Sequence, residues 1–244
     1  MRDFQGQVAV VTGASSGIGR AIALGLAERG ATLCLVGRRL RVLEAVAEEA
    51  RASTSDARCY CADLTVDQDI QTLMACFQRD FGYIDLLIHS AGVISIGKVE
   101  STPVAELDCQ YRTNVRAPYL LTQALLPMLR QRRGQIVFIN SSVGLIARAN
   151  VSQYAATKHA LKAIADSLRE EVNAEGVRVL SVYPGRTASP MQAAIHDMEG
   201  KAYHPERLMQ PEDVATVVVN ALSLPRSAEV TDISVRPMTK PGWL

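Results

Sequence analysis

Tyr154 and Lys158 lie four residues apart in a stretch with helical periodicity, so their side chains share a helix face one turn from each other. An ammonium beside a phenol favours the phenolate. A tyrosine titrates near ~10, and each unit of lowering takes about 1.4 kcal/mol of differential interaction. Bringing the phenol to neutrality takes roughly 4 kcal/mol, within reach of a lysine aided by a second bound charge. Such a tyrosine gives or takes a proton near neutral pH. The spacing is also common in surface helix pairs, so it needs other residues to support it.

A second group is suited to holding phosphate. The run Thr12-Gly13-Ala14-Ser15-Ser16-Gly17-Ile18-Gly19 joins an apolar strand to a helical pattern. Glycines allow a tight turn and close backbone approach, and a helix start offers free N–H groups with a partial positive charge. Gly13, Ser15, Ser16, Gly17, Ile18 and Gly19 are the expected contacts. Glycines also end strands for structural reasons, but the place of this run, first strand then helix, favours a dinucleotide. NAD-binding units usually carry an acid about 20 residues further on, against the adenosine ribose. Here the second strand ends Leu35-Val36-Gly37-Arg38-Arg39, with no acid at its tip. Arginine binds a 2′-phosphate that a carboxylate would repel. Arg38 and Arg39 therefore favour NADP(H), unless they are only solvated helix-start residues.

Elements must bring these groups together. Apolar runs at 8–11, 32–36, 57–61, 84–88, 135–140, 178–182 and 230–235 alternate with helical patterns near 18–29, 39–52, 66–80, 104–131, 153–175 and 211–223. Such alternation predicts a parallel α/β sheet with helices on both faces. Each motif follows a strand, as a site on the carboxyl edge of such a sheet requires. No linker or repeat interrupts the 244 residues, so one domain over 1–244 is expected. The formal net charge of +1 suggests no nucleic-acid or membrane surface. No leader or membrane-spanning run is visible, and the five cysteines show no zinc or disulfide spacing, so free buried thiols in a cytoplasmic protein are expected.

Gly13-x-x-x-Gly17-x-Gly19 together with Tyr154-x-x-x-Lys158 resembles the short-chain dehydrogenase/reductase family, in its single-domain branch of about 250 residues. The likeness runs over nearly the whole chain. Asp63-Leu64 follows the third strand, where the family has an aspartate beside the adenine. His89-Ser90-Ala91-Gly92 stands where the family usually has Asn-Asn-Ala-Gly. Asn114 falls in the fourth long helix, Ser141 thirteen residues before Tyr154, and Pro184-Gly185 after the sixth strand. The resemblance implies a Rossmann-type doubly wound sheet of about seven strands. It implies Tyr154 as the general acid in reduction and the base in oxidation. Lys158 would hold the nicotinamide ribose and tune Tyr154. Ser141 would hydrogen-bond the substrate oxygen, and Asn114 would hold a water linking Lys158 to solvent. The cofactor contacts would then include Asp63, Leu64, Ser90, Ala91, Gly92, Asn114, Tyr154, Lys158, Pro184 and Gly185. A hydroxyl usually follows four residues past the glycine, against the carboxamide; Ser189 holds that place, and Thr187 lies two earlier. His89 departs from the pattern. Asparagine there ties adjacent strands together, so a structural hydrogen bond is expected of it rather than catalysis.

The substrate pocket is expected along residues 143–153 and after Ser189, with Leu145, Arg148, Asn150, Met191, Ile195 and Met198 as candidates. Arg148 either meets an anionic substrate or is an exposed loop residue. The segment 186–210 is expected to act as a lid. The reading is an oxidoreductase acting on a small carbonyl compound or its alcohol, as a homotetramer or homodimer. Its competitors are a catalytically silent nucleotide sensor, an NAD-preferring alcohol dehydrogenase, and an epimerase or dehydratase on a related fold. The four candidate catalytic residues argue against the sensor, and the short C-terminal part against the epimerase.

Overall fold

Strands at the centre of a parallel sheet must be apolar on both faces, because helices cover both. Val8–Thr12 meets that demand, being buried at every position, and it forms β1 near the middle of the sheet. The computed structural model describes residues 3–54 and 56–238. The strands are β1 (Val8–Thr12), β2 (Thr32–Gly37), β3 (Ala57–Cys61), β4 (Leu86–His89), β5 (Gln135–Ile139), β6 (Arg178–Pro184) and β7 (Asp232–Val235). The helices are α1 (Gly17–Glu28), α2 (Leu40–Arg51), α3 (Asp67–Asp80), α4 (Val104–Tyr111), α5 (Ala117–Arg132), α6 (Ser152–Val172), α7 (Pro190–Met198) and α8 (Pro211–Leu222). The strands form one sheet in the order β3-β2-β1-β4-β5-β6-β7, and every described pairing is parallel. This is the Rossmann-type doubly wound arrangement, and its direction reverses between β1 and β4.

Two apolar cores flank the sheet. Leu26, Leu43 and Val218, from α1, α2 and α8, pack on one face against Val11 and Leu35. Leu73, Leu125 and Leu161, from α3, α5 and α6, pack on the other against Val10 and Phe138. Each such side chain, fully buried, contributes about 1.5–3 kcal/mol. Among the described residues, no helix is long and apolar enough to cross a membrane, and no group of His, Cys, Asp or Glu could hold a metal ion.

Several expectations need correcting. The long helix expected over 104–131 is interrupted by a π-helical turn at Arg112–Arg116, where the Ala117 N–H reaches back five residues to the Arg112 carbonyl. The segment after Ser189 contains a helix, α7, which no apolar periodicity announced. Of the five free cysteines only Cys34 is buried; Cys59 and Cys76 are half-buried, and Cys61 and Cys109 exposed. The reason for Cys59 and Cys61 is that β3 is the sheet's outer strand.

Candidate functional site

β1 ends in a turn that only glycine can make. Gly13 has φ +66°, and a Cβ there would lie 2.8 Å from the Ala91 main chain. A Cβ on Gly19 would lie 2.5 Å from the Gly13 carbonyl oxygen. The start of α1 is thereby drawn onto the tip of β4, at the point where strand order reverses. That helix start has no side-chain cap from Ser16 and no acid in its first turn. Its leading N–H groups and positive dipole end fit a pyrophosphate.

Thr12 is the hinge of this region, and sequence reasoning passed over it. Its hydroxyl donates to the Ile88 carbonyl (3.2 Å) and accepts the N–H groups of Ser90 (3.1 Å) and Ala91 (3.2 Å). It thus does the strand-tying work expected of residue 89. His89 instead meets Thr122 of α5, with Nε2 2.8 Å from the hydroxyl, and stacks on Phe138. Burial pushes its pKa down to about 3, so it is neutral and structural. Thr12→Val is expected to lower stability by about 1–3 kcal/mol, since it leaves two half-buried amides and the buried Ile88 carbonyl without this partner; urea unfolding checks this.

At the tip of β2, Arg38 and Arg39 are exposed, and among the described residues neither guanidinium has an ion-pair partner. Asp63 follows β3 and closes a turn, accepting the Thr65 N–H (2.9 Å) and hydroxyl (2.7 Å). Those bonds hold its carboxyl below the usual range, and the Arg38 charge adds to the effect. Leu64 packs nearby against the α3-side core.

The candidate catalytic residues converge from α6, β5 and the π-turn. Ser141 lies two residues past the end of β5, and its hydroxyl favours the ionised form of the Tyr154 phenol. Burial outweighs it and pushes that phenol up to about 12. Lys158 is buried too, and desolvation brings its ammonium down to about 8. Its Nζ donates to the Ile139 carbonyl (3.0 Å) and stands 5.7 Å from the Tyr154 ring centroid. Lys158 points past the phenol to the β5 main chain, and desolvation is the larger influence on Tyr154 without the second charge that the spacing argument requires.

Asn114 is buried in the π-turn. Its amide donates to the Val93 carbonyl (2.9 Å) and the Thr157 hydroxyl (3.2 Å), and its oxygen accepts the Val93 N–H (2.9 Å). A Cβ on Gly92 would sit 3.3 Å from that oxygen and 4.0 Å from the Lys158 Nζ, so the three positions adjoin. Asn140 was also missed. Its oxygen accepts the Ser141 N–H (2.8 Å) and its amide donates to the Lys158 carbonyl (3.0 Å), fixing β5 to α6. The only signal was a polar residue directly after an apolar strand.

Pro184 ends β6, and a Cβ on Gly185 would meet Pro237 at 2.9 Å. Of the two hydroxyls left open, Thr187 is buried and turns back to the Gly185 carbonyl (3.1 Å). Ser189 stands beside the glycine turn: a Cβ on Gly17 would lie 3.2 Å from its own. Its oxygen caps α7 by accepting the Gln192 N–H (3.1 Å). Leu145, Arg148, Asn150, Met191 and Met198 are exposed, with Ile195 half-buried.

A doubly wound sheet that gathers a glycine turn, a free helix start and a Ser-Tyr-Lys cluster on one edge defines a Rossmann-type protein with a candidate nucleotide site. The family model of short chain dehydrogenases matches residues 7–200, and the chain belongs to that family of oxidoreductases. An uncharacterised oxidoreductase of Staphylococcus epidermidis is 34% identical over 98% of this chain and 100% of its own. A metagenomic short-chain oxidoreductase solved with NADP is 32% identical, with TM-score 0.84 over 98% of this chain and 100% of that one. A 3-ketoacyl-(acyl-carrier-protein) reductase of Brucella melitensis, solved with NADH, is 25% identical, with TM-score 0.83 over 95% and 97%.

Proposed function

We propose that this protein is an NADP(H)-dependent oxidoreductase interconverting a small carbonyl compound and its alcohol. The observation that carries the reaction is the convergence of Ser141, Tyr154 and Lys158 beside the glycine turn. Tyr154 gives its phenolic proton to the substrate oxygen in reduction and takes it back in oxidation. Ser141 hydrogen-bonds the same oxygen as charge develops on it. Lys158 would hold the nicotinamide ribose hydroxyls of a bound cofactor and bring positive charge near the phenol. Asn114, its side-chain amide held by Val93 and Thr157, would hold a water linking Lys158 to solvent. When bound, the nicotinamide cofactor supplies or accepts the hydride. Gly13, Ser15, Ser16, Gly17, Ile18 and Gly19 would cradle its pyrophosphate. Asp63, Leu64, Ser90, Ala91 and Gly92 would line the adenosine side. Pro184, Gly185, Ser189 and Thr187 would lie on the nicotinamide side, with Ser189 the better placed.

The preference for NADP(H) rests on Arg38 and Arg39, which have no ion-pair partner among the described residues and stand at a strand tip that carries no acid. Arg38→Ala is expected to weaken NADPH binding roughly 10- to 100-fold, the loss of a charge-assisted contact, and to leave NADH binding unchanged. Fluorescence titration with both cofactors measures this, and equal affinities in the unaltered protein would overturn the preference.

The segment 186–210 is read as a lid over this edge. Arg186 donates to Glu199 (2.5 Å), and the Tyr203 hydroxyl accepts the Ser189 N–H (3.1 Å), so the segment is latched at both ends of α7. The exposed Val104, Leu107 and Tyr111 share a face of α4, which supports assembly as a homodimer or homotetramer.

A further inference from the structure

The two limbs of the segment 186–210 are zipped together at their base. Thr187 bridges Met209, the Ala188 N–H donates to the Met209 carbonyl (2.8 Å), and the Met209 N–H donates to the Arg186 carbonyl (3.3 Å). The zip ends at Ala188. The next residue is Ser189, where the chain turns into α7. Its main chain is held instead by Tyr203, on the returning limb 14 residues further on. The Tyr203 hydroxyl accepts the Ser189 N–H (3.1 Å) and donates to the Ser189 carbonyl (3.4 Å). One hydroxyl thus grips both main-chain groups of one residue.

The Tyr203 ring is itself held. It stands edge-on to the ring of His196, with centroids 5.3 Å apart and planes at 62°. His196 is buried on α7. A carbonyl can only accept, so its Nδ1–H donates to the Gln192 carbonyl (2.8 Å), and its Nε2 faces the Arg186 guanidinium at 3.5 Å. Arg186 is fixed in turn by Glu199 (2.5 Å). Neither Tyr203, His196, Arg186 nor Glu199 has a part in the reaction or the cofactor contacts proposed above, yet they converge on a residue that does. Ser189 has two polar hydrogens. Its N–H goes to Tyr203, and its hydroxyl oxygen is occupied in accepting the Gln192 N–H (3.1 Å). Among the described residues its hydroxyl hydrogen meets no acceptor, which leaves it free to donate to a carboxamide oxygen.

We propose that Tyr203 is a positioning residue: by gripping the Ser189 main chain it aims the Ser189 hydroxyl at the nicotinamide carboxamide. The proposal deepens the reading of Ser189 given above and rests on it. Ser189 stands where the cofactor would pass, since a Cβ on Gly17 would lie 3.2 Å from its own. The Gln192 bond fixes the hydroxyl oxygen over the start of α7, but only relative to the backbone that carries it. That backbone lies between the zip and the helix, where neither ladder holds the Ser189 N–H, and Tyr203 supplies the missing anchor. Without the grip the hydroxyl is still present, but its direction is spread, and ordering it again on binding costs affinity.

Tyr203→Phe in the full-length protein keeps the ring against His196 and loses only the two bonds to Ser189. Calorimetric titration compares two ligands, NADPH and ADP-ribose 2′-phosphate, which keeps the adenosine, both phosphate groups and the second ribose but lacks the nicotinamide. The NADPH Kd is expected to rise about three- to tenfold, as for one hydrogen bond, and that of the fragment to stay unchanged. Ser189→Ala should show the same contrast. The double variant should bind NADPH no more weakly than the weaker single variant, because Tyr203 acts through Ser189. An equal rise for both ligands, an unchanged NADPH Kd, or additive losses in the double variant overturns the proposal. The reading of Ser189 fails separately: if Ser189→Ala binds NADPH as the unaltered protein does, that residue leaves the nicotinamide side. A loss in Ser189→Ala without one in Tyr203→Phe removes only the role of Tyr203. If NADH proves the better ligand, the arginine assignment falls, and the same contrast is read between NADH and ADP-ribose.

Discussion

Replacing Tyr154 by phenylalanine is expected to lower kcat/KM for carbonyl reduction on the order of 10³-fold, with cofactor affinity and fold preserved. The substitution removes one hydroxyl and nothing else. That hydroxyl is the proton donor the reading requires, and positioned acids and bases contribute about 10²- to 10⁴-fold. The ring stays in place between α6 and the loop after β5, so packing changes little. Burial holds the phenol up near 12, so the protein's own field keeps it protonated at neutral pH, the form reduction uses. Steady-state kinetics with NADPH and a panel of small ketones and aldehydes, alongside NADPH titration, makes the measurement. Activity within tenfold of the unaltered protein would remove Tyr154 from the reaction. Loss of NADPH binding along with activity would instead make it a structural residue.

Lys158→Met is expected to abolish turnover while stabilising the folded protein at neutral pH. The lysine is buried, and desolvation lowers its pKa to about 8 from an ordinary 10.5. The folded state therefore holds this proton less tightly than the unfolded chain does. The cost of the buried charge is fully present below about pH 8, and it diminishes as the pH rises from there toward 10.5. Methionine has nearly the same shape without the charge. The gain expected at pH 7 is about 1–3 kcal/mol, less than the full desolvation cost because the Ile139 carbonyl loses its donor. Urea unfolding at pH 7 and again at 9.5 tests both sign and window: the advantage of the variant should shrink at the higher pH. A variant less stable at pH 7 would show that Lys158 is compensated in the fold and not strained. Stability given up at one buried cation is the pattern of a residue kept for what it does.

Much of this protein was legible before its structure. The alternation of apolar runs with helical patterns called for a parallel α/β sheet, because only strands covered on both faces are apolar throughout, as Val8–Val11 is. Gly13 and Gly19 could be read as a close-approach turn since no other residue lacks a Cβ. The shared face of Tyr154 and Lys158 could be read from spacing, since a helix repeats every 3.6 residues, but their role only from the glycine motif that accompanies them. The absence of an acid after β2 needed no coordinates either.

Other features depend on distances between parts of the chain remote in sequence, and no local pattern contains them. Thr12 looks like the last residue of a strand until β4 is laid beside β1, when its hydroxyl meets three main-chain groups 76 to 79 residues away. His89 is an ordinary histidine until Thr122 and Phe138 bury it and hold it neutral. The helical pattern over 104–131 gave no sign of the π-turn, within which Asn114 meets Val93 and Thr157, 21 and 43 residues away in the chain. Spacing set Lys158 beside Tyr154, but tertiary burial decided the charges there, raising one pKa and lowering the other. Side-chain type and order along the chain determine which element forms and which groups it presents. Desolvation, and the partners that meet a group across the fold, determine what that group can do, because both are set by atoms the local sequence does not include.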